Sequence, residues 1–187
     1  MKLLDLQKRQ QEHDKGFHQD IFNISYPDRM NHYVLHFSKY VGRLSKEYSD
    51  EKRRTEQLEK TLADSIIVAL AAANTLNLDL RKELQNNFEI DSEGAAAIAE
   101  DLNQTNDMDD SEEVQYWLFN QMAASAGRMA NAMESLDHME PMNVRQILEE
   151  ETVQILSDLL IATDKLGTEL ETLLDERWTE IEEESIL

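Results

Sequence analysis

The sequence predicts an all-α protein folded as a helical bundle, and three observations lead to this prediction. The 187 residues contain only 5 Gly and 2 Pro, which break helices, whereas Ala, Leu, Glu and Met, which favour them, are abundant. Apolar residues recur at alternating intervals of four and three between residues 30 and 48, which is the spacing of one helix face. A long apolar run over 62–80 indicates a second helix that is buried on most sides.

The first half of the chain is predicted to contain three helices in order. A short amphipathic helix ends near Asp14, and a loop follows over 16–26. Pro27 suits the first turn of the next helix because its missing N–H would have no helical partner there. The core face of that helix consists of Met30, Val34, Phe37, Val41, Leu44 and Tyr48. A charged turn over 50–54 then leads to the long apolar helix of 62–80.

The second half is predicted to begin with a polar connection and to continue as long helices. Residues 85–112 are polar and acidic, which is typical of a linker, and contain one short Ala-rich helix over 94–102. Three helices are predicted after it, over about 112–136, 143–166 and 168–184. The last of these ends in an acidic run over 180–184.

Two stretches of sequence occur twice in the same order, which indicates an internal duplication. Residues 39–44 (KYVGRL) have a counterpart 85 positions later in 124–129 (ASAGRM), and residues 74–84 have one 90 positions later in 164–174. The predicted organisation is a first repeat over 1–88, an acidic linker over 89–112 and a second, strongly acidic repeat over 113–187.

The net charge of −21 is concentrated in the second half. Residues 1–88 contain 14 Lys+Arg and 13 Asp+Glu, whereas residues 89–187 contain 4 Lys+Arg and 26 Asp+Glu. So acidic a surface disfavours nucleic acid and anionic membranes as partners and favours cations or a basic protein. A well-solvated helical surface with no partner is the alternative interpretation.

Several classes of protein are excluded by what the sequence lacks. The absence of Cys excludes disulfides and thiolate metal sites and is consistent with a reducing cytoplasm. Neither a signal peptide nor a run of membrane-spanning length is present, so a soluble, cytoplasmic protein is predicted. No Ser-His-Asp set, glycine-rich phosphate loop or zinc motif is visible.

Asp64 is the most informative single residue, because it lies within the apolar run of 62–80. An ionised carboxylate inside a buried helix is costly unless a cation, a metal or a hydrogen-bond donor compensates it. Asp64 is therefore predicted to have a partner on a neighbouring helix.

Residues 62–84 resemble the second half of the MazG-like, all-α nucleoside triphosphate pyrophosphohydrolase pattern. In that pattern a helix opens with Glu-x-x-Asp, and an Ala-Asn/Asp-x-Leu-Gly-Ile-Asp-Leu stretch leads into the next helix. Asp64 falls on the Asp of the first motif, and 73–80 (ANTLNLDL) on the later stretch. Upstream, 39–44 occupies the place of the family's Glu-Glu-Val-Gly-Glu-Leu. The resemblance covers about 28–88 and, more faintly, 113–178.

The chain departs from the family at the residues that hold magnesium. In the family, four carboxylates from two helices bind magnesium, which bridges the triphosphate and activates the attacking water. Here Tyr40 and Arg43 stand at the first pair and Thr61 at the Glu of the second, which leaves Asp64 alone. The second half has Ser125, Arg128, Glu151 and Gln154 at these places, with Glu150 beside Glu151. The resemblance thus implies a bundle of two MazG-like repeats in one chain, with degraded metal-binding motifs.

The resemblance also implies roles for individual residues. Asp64 and Glu151 are the expected catalytic remnants, and together with Glu150 they would hold Mg²⁺ if the protein is active. Arg43 occupies the place of a metal-binding Glu, so its guanidinium is predicted to replace the magnesium and to pair with Asp64. Asn74, on the later stretch, is an expected substrate-binding residue.

A basic stripe is predicted on the helix of residues 30–48, opposite its apolar face. It consists of His32, His36, Lys39 and Arg43, spaced by four, three and four residues. His36, Lys39 and Arg43 are candidates for binding the phosphates of a substrate. A zinc ion on the two His residues, an acidic partner and a plainly solvated face are the alternatives.

Three functions remain open from the sequence. The first is a MazG-like protein that is catalytically weak or silent and binds a nucleotide or a protein partner. The second is an active Mg²⁺-dependent hydrolase that converts nucleoside or deoxynucleoside triphosphates to monophosphate and pyrophosphate. The third is an acidic interaction protein that imitates nucleic acid or engages a basic partner. A monomer or a homodimer is expected, because one chain supplies both repeats.

Overall fold

The structure, a computed structural model, describes residues 1–49, 54–104, 108 and 111–185, with the side chains of 47–49 and 54–56 excepted. Within these ranges it contains nine helices and no strand, so the predicted all-α bundle is confirmed. The helices are α1 (Leu3–Phe17), α2 (Gln19–Phe22), α3 (Tyr26–Ser49), α4 (Arg54–Leu76), α5 (Leu80–Phe88), α6 (Ala95–Asn103), α7 (Ser111–Asp137), α8 (Val144–Lys165) and α9 (Leu170–Glu184).

Four long helices form the centre of the bundle. Helix α3 packs on α4 and α7, and α8 packs on α7 and α4. The shorter helices cover this centre, with α1 and α9 on α4 and with α6 on α8. The buried side chains of these helices form one continuous hydrophobic core.

Helices α4 and α8 are the most enclosed, and their sequences show why. Every residue over 61–73 of α4 and over 155–163 of α8 is buried. Both stretches are rich in Leu, Ile, Val and Ala on all sides, which is the composition of a helix surrounded by neighbours. The central position predicted for the helix that contains Asp64 is therefore observed.

Helix α3 has one buried face, as its spacing predicts. Met30, Val34, Phe37 and Leu44 are buried and Val41 is half-buried, whereas the side chain of Tyr48 lies outside the described residues. The helix begins at Tyr26, so Pro27 is in its first turn, and the Ser25 hydroxyl lies 3.4 Å from the backbone N–H of Asp28. A side-chain oxygen before the first turn is the usual way to satisfy such an N–H.

The connections after α4 and after α8 have the same backbone conformation. Asn77 (φ 59°) and Gly167 (φ 67°) are both left-handed. Leu78 N–H donates to Ala73 C=O at 2.9 Å, and 90 residues later Thr168 N–H donates to Thr163 C=O at 3.0 Å. The spacing equals that of the second pair of similar stretches. The local likeness is real, while the duplication of the whole chain and the three-part division of it stay predictions.

The connection between α1 and α3 differs from the prediction. The expected loop over 16–26 is wrong at its start, because α1 continues to Phe17 and α2 follows over Gln19–Phe22. His18 links the two helices, since its N–H donates to Asp14 C=O at 3.0 Å and its C=O accepts from Phe22 N–H at 2.8 Å. Gly16 and the polar residues around it suggested a break that these backbone bonds prevent. The predicted charged turn lies outside the described residues over 50–53.

Part of the predicted linker contributes to the core. The Ala-rich helix is present as α6, which packs on α8. Its buried residues are Ala95, Ile98, Ala99 and Leu102. The start of α6 is tied to the start of α1 by a short antiparallel bridge, in which Leu3 N–H donates to Glu93 C=O and Ala95 N–H donates to Met1 C=O.

Among the described residues, no single helix has both the length and the apolarity to cross a membrane. By length and composition alone, residues 57–76 of α4 taken together with α5 would be long and apolar enough, and the two segments are bent by 99° relative to each other.

Candidate functional site

Asp64 is held between two guanidinium groups. Its side chain is 8% exposed and comes from the centre of α4. Arg43 Nη1, from α3, donates to one carboxylate oxygen at 2.7 Å, and Arg177 Nε, from α9, donates to the other at 2.6 Å. The contact predicted between Arg43 and Asp64 is present, and both oxygens of the buried carboxylate have a charged donor.

Arg177 is the partner that sequence reasoning missed. Its side chain is only 12% exposed, compared with 34% for Arg43, and it also donates from Nη1 to Glu180 at 2.8 Å. Lys60 of α4 approaches the same Glu180 at 3.2 Å. A weak signal was present, because only four cations occur in the acidic half of the chain. No periodicity, however, shows which helix α9 packs on.

Three of the four predicted substrate-binding residues lie together on α3. His36 Nδ1 is 3.0 Å from the Tyr40 hydroxyl and 3.3 Å from Lys39 Nζ. Lys39 and Arg43 both lie over the Tyr40 ring, at 4.7 Å and 5.3 Å from its centroid. Burial and then the charge of Lys39 lower the pKa of His36 to about 4, so its imidazole is neutral near pH 7. Burial and then the charge of Arg43 lower the pKa of Lys39.

Asn74, the fourth of these residues, is on α4, ten residues after Asp64, which is a rise of about 15 Å along the helix at 1.5 Å per residue. Its amide donates to Gln7 C=O at 2.8 Å, and Gln7 in turn donates to Leu78 C=O at 2.9 Å and accepts from Leu80 N–H at 3.1 Å. The contacts of Asn74 and Gln7 therefore fasten α1 to the end of α4 and to the turn between α4 and α5, and the substrate role of Asn74 stays a prediction.

The second half contains a similar arginine and carboxylate pair. Arg128 of α7 donates from Nε and Nη2 to the two oxygens of Glu151 of α8, the second at 2.7 Å, and from Nη2 to Ser125 Oγ at 3.2 Å. Glu151 is mostly buried, whereas Arg128 is half exposed. In both halves an arginine on one long helix thus binds a buried carboxylate on the next.

Asp158 is a further buried carboxylate that was not predicted, although it also lies in an apolar run, over 155–162. Gln154 Nε2 donates to its Oδ1 at 2.9 Å, while Oδ2 is buried without a hydrogen-bond partner. Burial raises the pKa of Asp158 to about 7, against the hydrogen bond from Gln154, and the nearby charge of Glu151 adds to the rise. A large share of Asp158 is consequently protonated at neutral pH.

The three residues expected to hold magnesium do not form a magnesium site. Glu150 is exposed and accepts a hydrogen bond from Gln146 at 2.8 Å, whereas Glu151 faces Arg128 and Asp64 faces Arg43 and Arg177. Within the described ranges, none of the three belongs to a group of three carboxylates or imidazoles whose ligand atoms lie within 4.8 Å of one another. Mg²⁺ requires near-octahedral oxygen ligands, so these residues do not fit it.

No family model matches this chain, and no curated protein or solved structure matches it.

Proposed function

We propose that this chain is a relative of the MazG-like nucleotide pyrophosphohydrolases that binds a nucleotide or a partner and is catalytically weak or silent. One observation carries the proposal: Arg43 and Arg177 occupy both oxygens of Asp64. A guanidinium balances the charge of a buried carboxylate as a metal would, but it cannot bring a water molecule to the phosphate. The pair formed by Arg128 and Glu151 supports the same conclusion for the second half.

The cations of α3 supply the binding part of the proposal. Lys39 is exposed, and Arg43 is partly exposed with guanidinium N–H groups beyond the one that Asp64 uses. Together with the neutral His36 they offer several donors along one helix face, and phosphate oxygens are acceptors that such donors bind. The phosphate groups of a nucleoside triphosphate are the proposed ligand.

Hydrolysis is tested by incubating the purified chain with canonical and modified nucleoside triphosphates and Mg²⁺. The expected result is no release of pyrophosphate or monophosphate above the rate without protein, and no rise in melting temperature with Mg²⁺. Turnover that requires Mg²⁺ and is lost in Asp64→Asn would contradict the proposal and favour the active hydrolase.

Binding is tested separately by calorimetry with the same nucleotides in the absence of Mg²⁺. Lys39→Ala is expected to weaken binding, whereas Lys82→Ala, which removes an exposed cation on α5, is expected to leave it unchanged. Equal affinity in the two variants would show that the nucleotide does not bind at the stripe on α3.

The acidic interaction protein remains the second candidate because three of the four cations of the second half are already engaged. Arg145 donates to Glu149 and to Leu76 C=O, each at 2.7 Å, and Arg128 and Arg177 are bound to carboxylates as described. The remaining carboxylates give this half its negative surface. Binding of polylysine that weakens steeply with salt, in the absence of nucleotide binding, would favour this candidate.

A further inference from the structure

A cavity of about 280 Å³ lies between the end of α1, α2, α3 and α4. Its floor is apolar, from Ile67, Val68 and Ala71 of α4. Its other walls are rich in ionisable groups, which include Asp14, His18, Asp20, His32 and His36. Asp64, Arg43 and Arg177 do not line this cavity. His36 does line it and also belongs to the basic stripe on α3.

Three side chains beside this cavity have the arrangement of metal ligands. His13, Asp14 and His18 each offer one ligand atom, and these atoms all lie within 4.8 Å of one another. In a continuous helix, residues five apart would point about 140° from each other. The helix α1 ends at Phe17, and His18 leaves the helical conformation (φ −131°, ψ 47°), so its ring returns to within 5.5 Å of the His13 ring.

The environment of His13 is unsatisfied without a ligand. Its side chain is 3% exposed, and neither Nδ1 nor Nε2 has a hydrogen-bond partner. The nearest carboxylate oxygen, of Glu182, is 3.9 Å from Nε2, which is too far for a hydrogen bond. Buried polar atoms are almost always hydrogen-bonded, and leaving them unpaired is unfavourable.

Asp14 is oriented from behind by a chain of hydrogen bonds. Trp178 Nε1 donates to Gln10 Oε1 at 2.7 Å, and Gln10 Nε2 donates to Asp14 Oδ1 at 2.8 Å. The Trp178 ring is fully buried, which fixes the start of this chain. Bonds of this kind behind a ligand usually orient it and adjust its affinity for the ion.

We propose that His13, Asp14 and His18 bind one divalent transition metal ion, for which Zn²⁺ is the best fit. Two imidazoles and one carboxylate suit Zn²⁺ and similar ions, whereas Mg²⁺ and Ca²⁺ prefer oxygen ligands alone. Three protein ligands leave one position of a tetrahedral ion open, and the adjoining cavity is large enough to hold a water molecule or a small anion there. His32 and His36 also line this cavity, and their rings are 4.4 Å apart. The proposal does not depend on nucleotide binding.

The test is metal titration of tag-free, chelator-treated protein. Calorimetry with Zn²⁺ is expected to show about one equivalent bound, and Co²⁺ is expected to give the visible absorption of a four- or five-coordinate ion. Zn²⁺ is also expected to raise the melting temperature, because it binds the folded state.

The variants locate the site. His18→Ala and Asp14→Asn are expected to weaken Zn²⁺ binding by about tenfold or more, and Gln10→Ala by a smaller factor. His138→Ala, which removes an exposed His at the end of α7, is the matched control and is expected to bind as wild type. His18 is half-buried and on a helix end, so its variant is expected to fold, as checked by circular dichroism.

Three results would overturn the proposal. One is the absence of saturable binding of Zn²⁺ and Co²⁺. Another is wild-type affinity in both His18→Ala and Asp14→Asn. The third is a loss of binding in His32→Ala and His36→Ala with none in His18→Ala, which would place the ion on α3.

Discussion

At the scale of single residues, the molecule is distinguished by how it compensates buried carboxylates. Asp64 has two guanidinium donors and Glu151 has one that binds through two nitrogens, whereas Asp158 has only the amide of Gln154. The first two are stabilised as charged groups. Asp158 is stabilised as a neutral acid, because the free energy required to bury its ionised form exceeds the free energy gained from one amide hydrogen bond. Different partners therefore predict different responses to mutation and to pH.

Asp64→Ala is expected to destabilise the fold by about 3 to 5 kcal/mol, because it leaves two arginines without their buried partner. Arg177→Ala is expected to cost more than Arg43→Ala, since Arg177 is the less exposed of the two. Pairing either arginine variant with Asp64→Ala is expected to cost clearly less than the sum of the single changes. Urea unfolding of each variant measures these free energies.

The control for this series is Asp175→Ala, which breaks the exposed pair with Arg9 and is expected to cost less than about 1 kcal/mol. If Asp64→Ala unfolds at the same urea concentration as Asp175→Ala, the carboxylate is not a structural centre of the bundle. In that case the contacts with both arginines contribute little to stability.

Asp158→Asn is expected to stabilise the protein increasingly as pH rises. The pKa of Asp158 is about 7 in the folded state and about 3.8 in the unfolded state, so the native chain binds more protons between these values. This contribution of Asp158 to the stability of the wild type is fully present below about pH 4 and is lost as pH rises through about 7, by about 4 kcal/mol. The melting temperatures of wild type and variant, measured between about pH 4.5 and about pH 8.5, give this difference on both sides of the folded-state pKa of Asp158. A constant difference across this range would show that Asp158 ionises normally.

At the scale of elements, the sequence pattern predicted the helices and the contacts that depend on residues close together along the chain. The long helices follow from periodic burial, and the contact between Arg43 and Asp64 followed from a resemblance that placed both at facing positions on consecutive helices. Arg177 and the group around His13 were not predictable in this way. Arg177 reaches Asp64 because α9 packs on α4, and His18 reaches His13 because α1 stops at Phe17. Both contacts depend on packing and on where a helix ends, which periodicity does not determine.

The two left-handed turns give a prediction at this scale. Gly167→Ala is expected to destabilise the protein by about 1 kcal/mol, because an L side chain disfavours φ 67°. No atom lies within 4 Å of the added Cβ, so the cost is conformational and not a clash. Asn77→Gly at the matching turn is expected to be neutral or slightly stabilising.

Gly127→Ala is the matched control, because this glycine is inside α7 and its added Cβ also meets no atom within 4 Å. The change is expected to stabilise the protein by about 0.5 to 1 kcal/mol, since alanine favours a helix interior. Thermal melts of Gly167→Ala, Asn77→Gly and Gly127→Ala show the order of their stabilities. Equal effects of Gly167→Ala and Gly127→Ala would show that the turn after α8 does not require a left-handed residue.

At the scale of the whole molecule, the acidic half shares a hydrophobic core with a nearly neutral half, and ion pairs also join the two. Arg9 with Asp175, Lys60 with Glu180 and Arg177 with Asp64 all join the two halves. The first two are exposed and each is worth less than about 1 kcal/mol. They cannot balance a net charge of −21, so repulsion between carboxylates dominates the long-range electrostatics.

Stability is therefore expected to rise with added NaCl, because the Debye length falls to about 10 Å at 0.1 M and repulsion across the acidic half is screened. The melting temperature is expected to increase between low and moderate salt.

Glu184→Gln and Glu113→Gln change the net charge equally, but Glu184 is in the last turn of α9 and Glu113 in the first turn of α7. A carboxylate is unfavourable at the first of these positions and favourable at the second, because of the helix dipole. Glu184→Gln is thus expected to raise the low-salt melting temperature more than Glu113→Gln, and the gap is expected to narrow with salt. A melting temperature that is independent of NaCl would mean that the carboxylates are too far apart to repel one another.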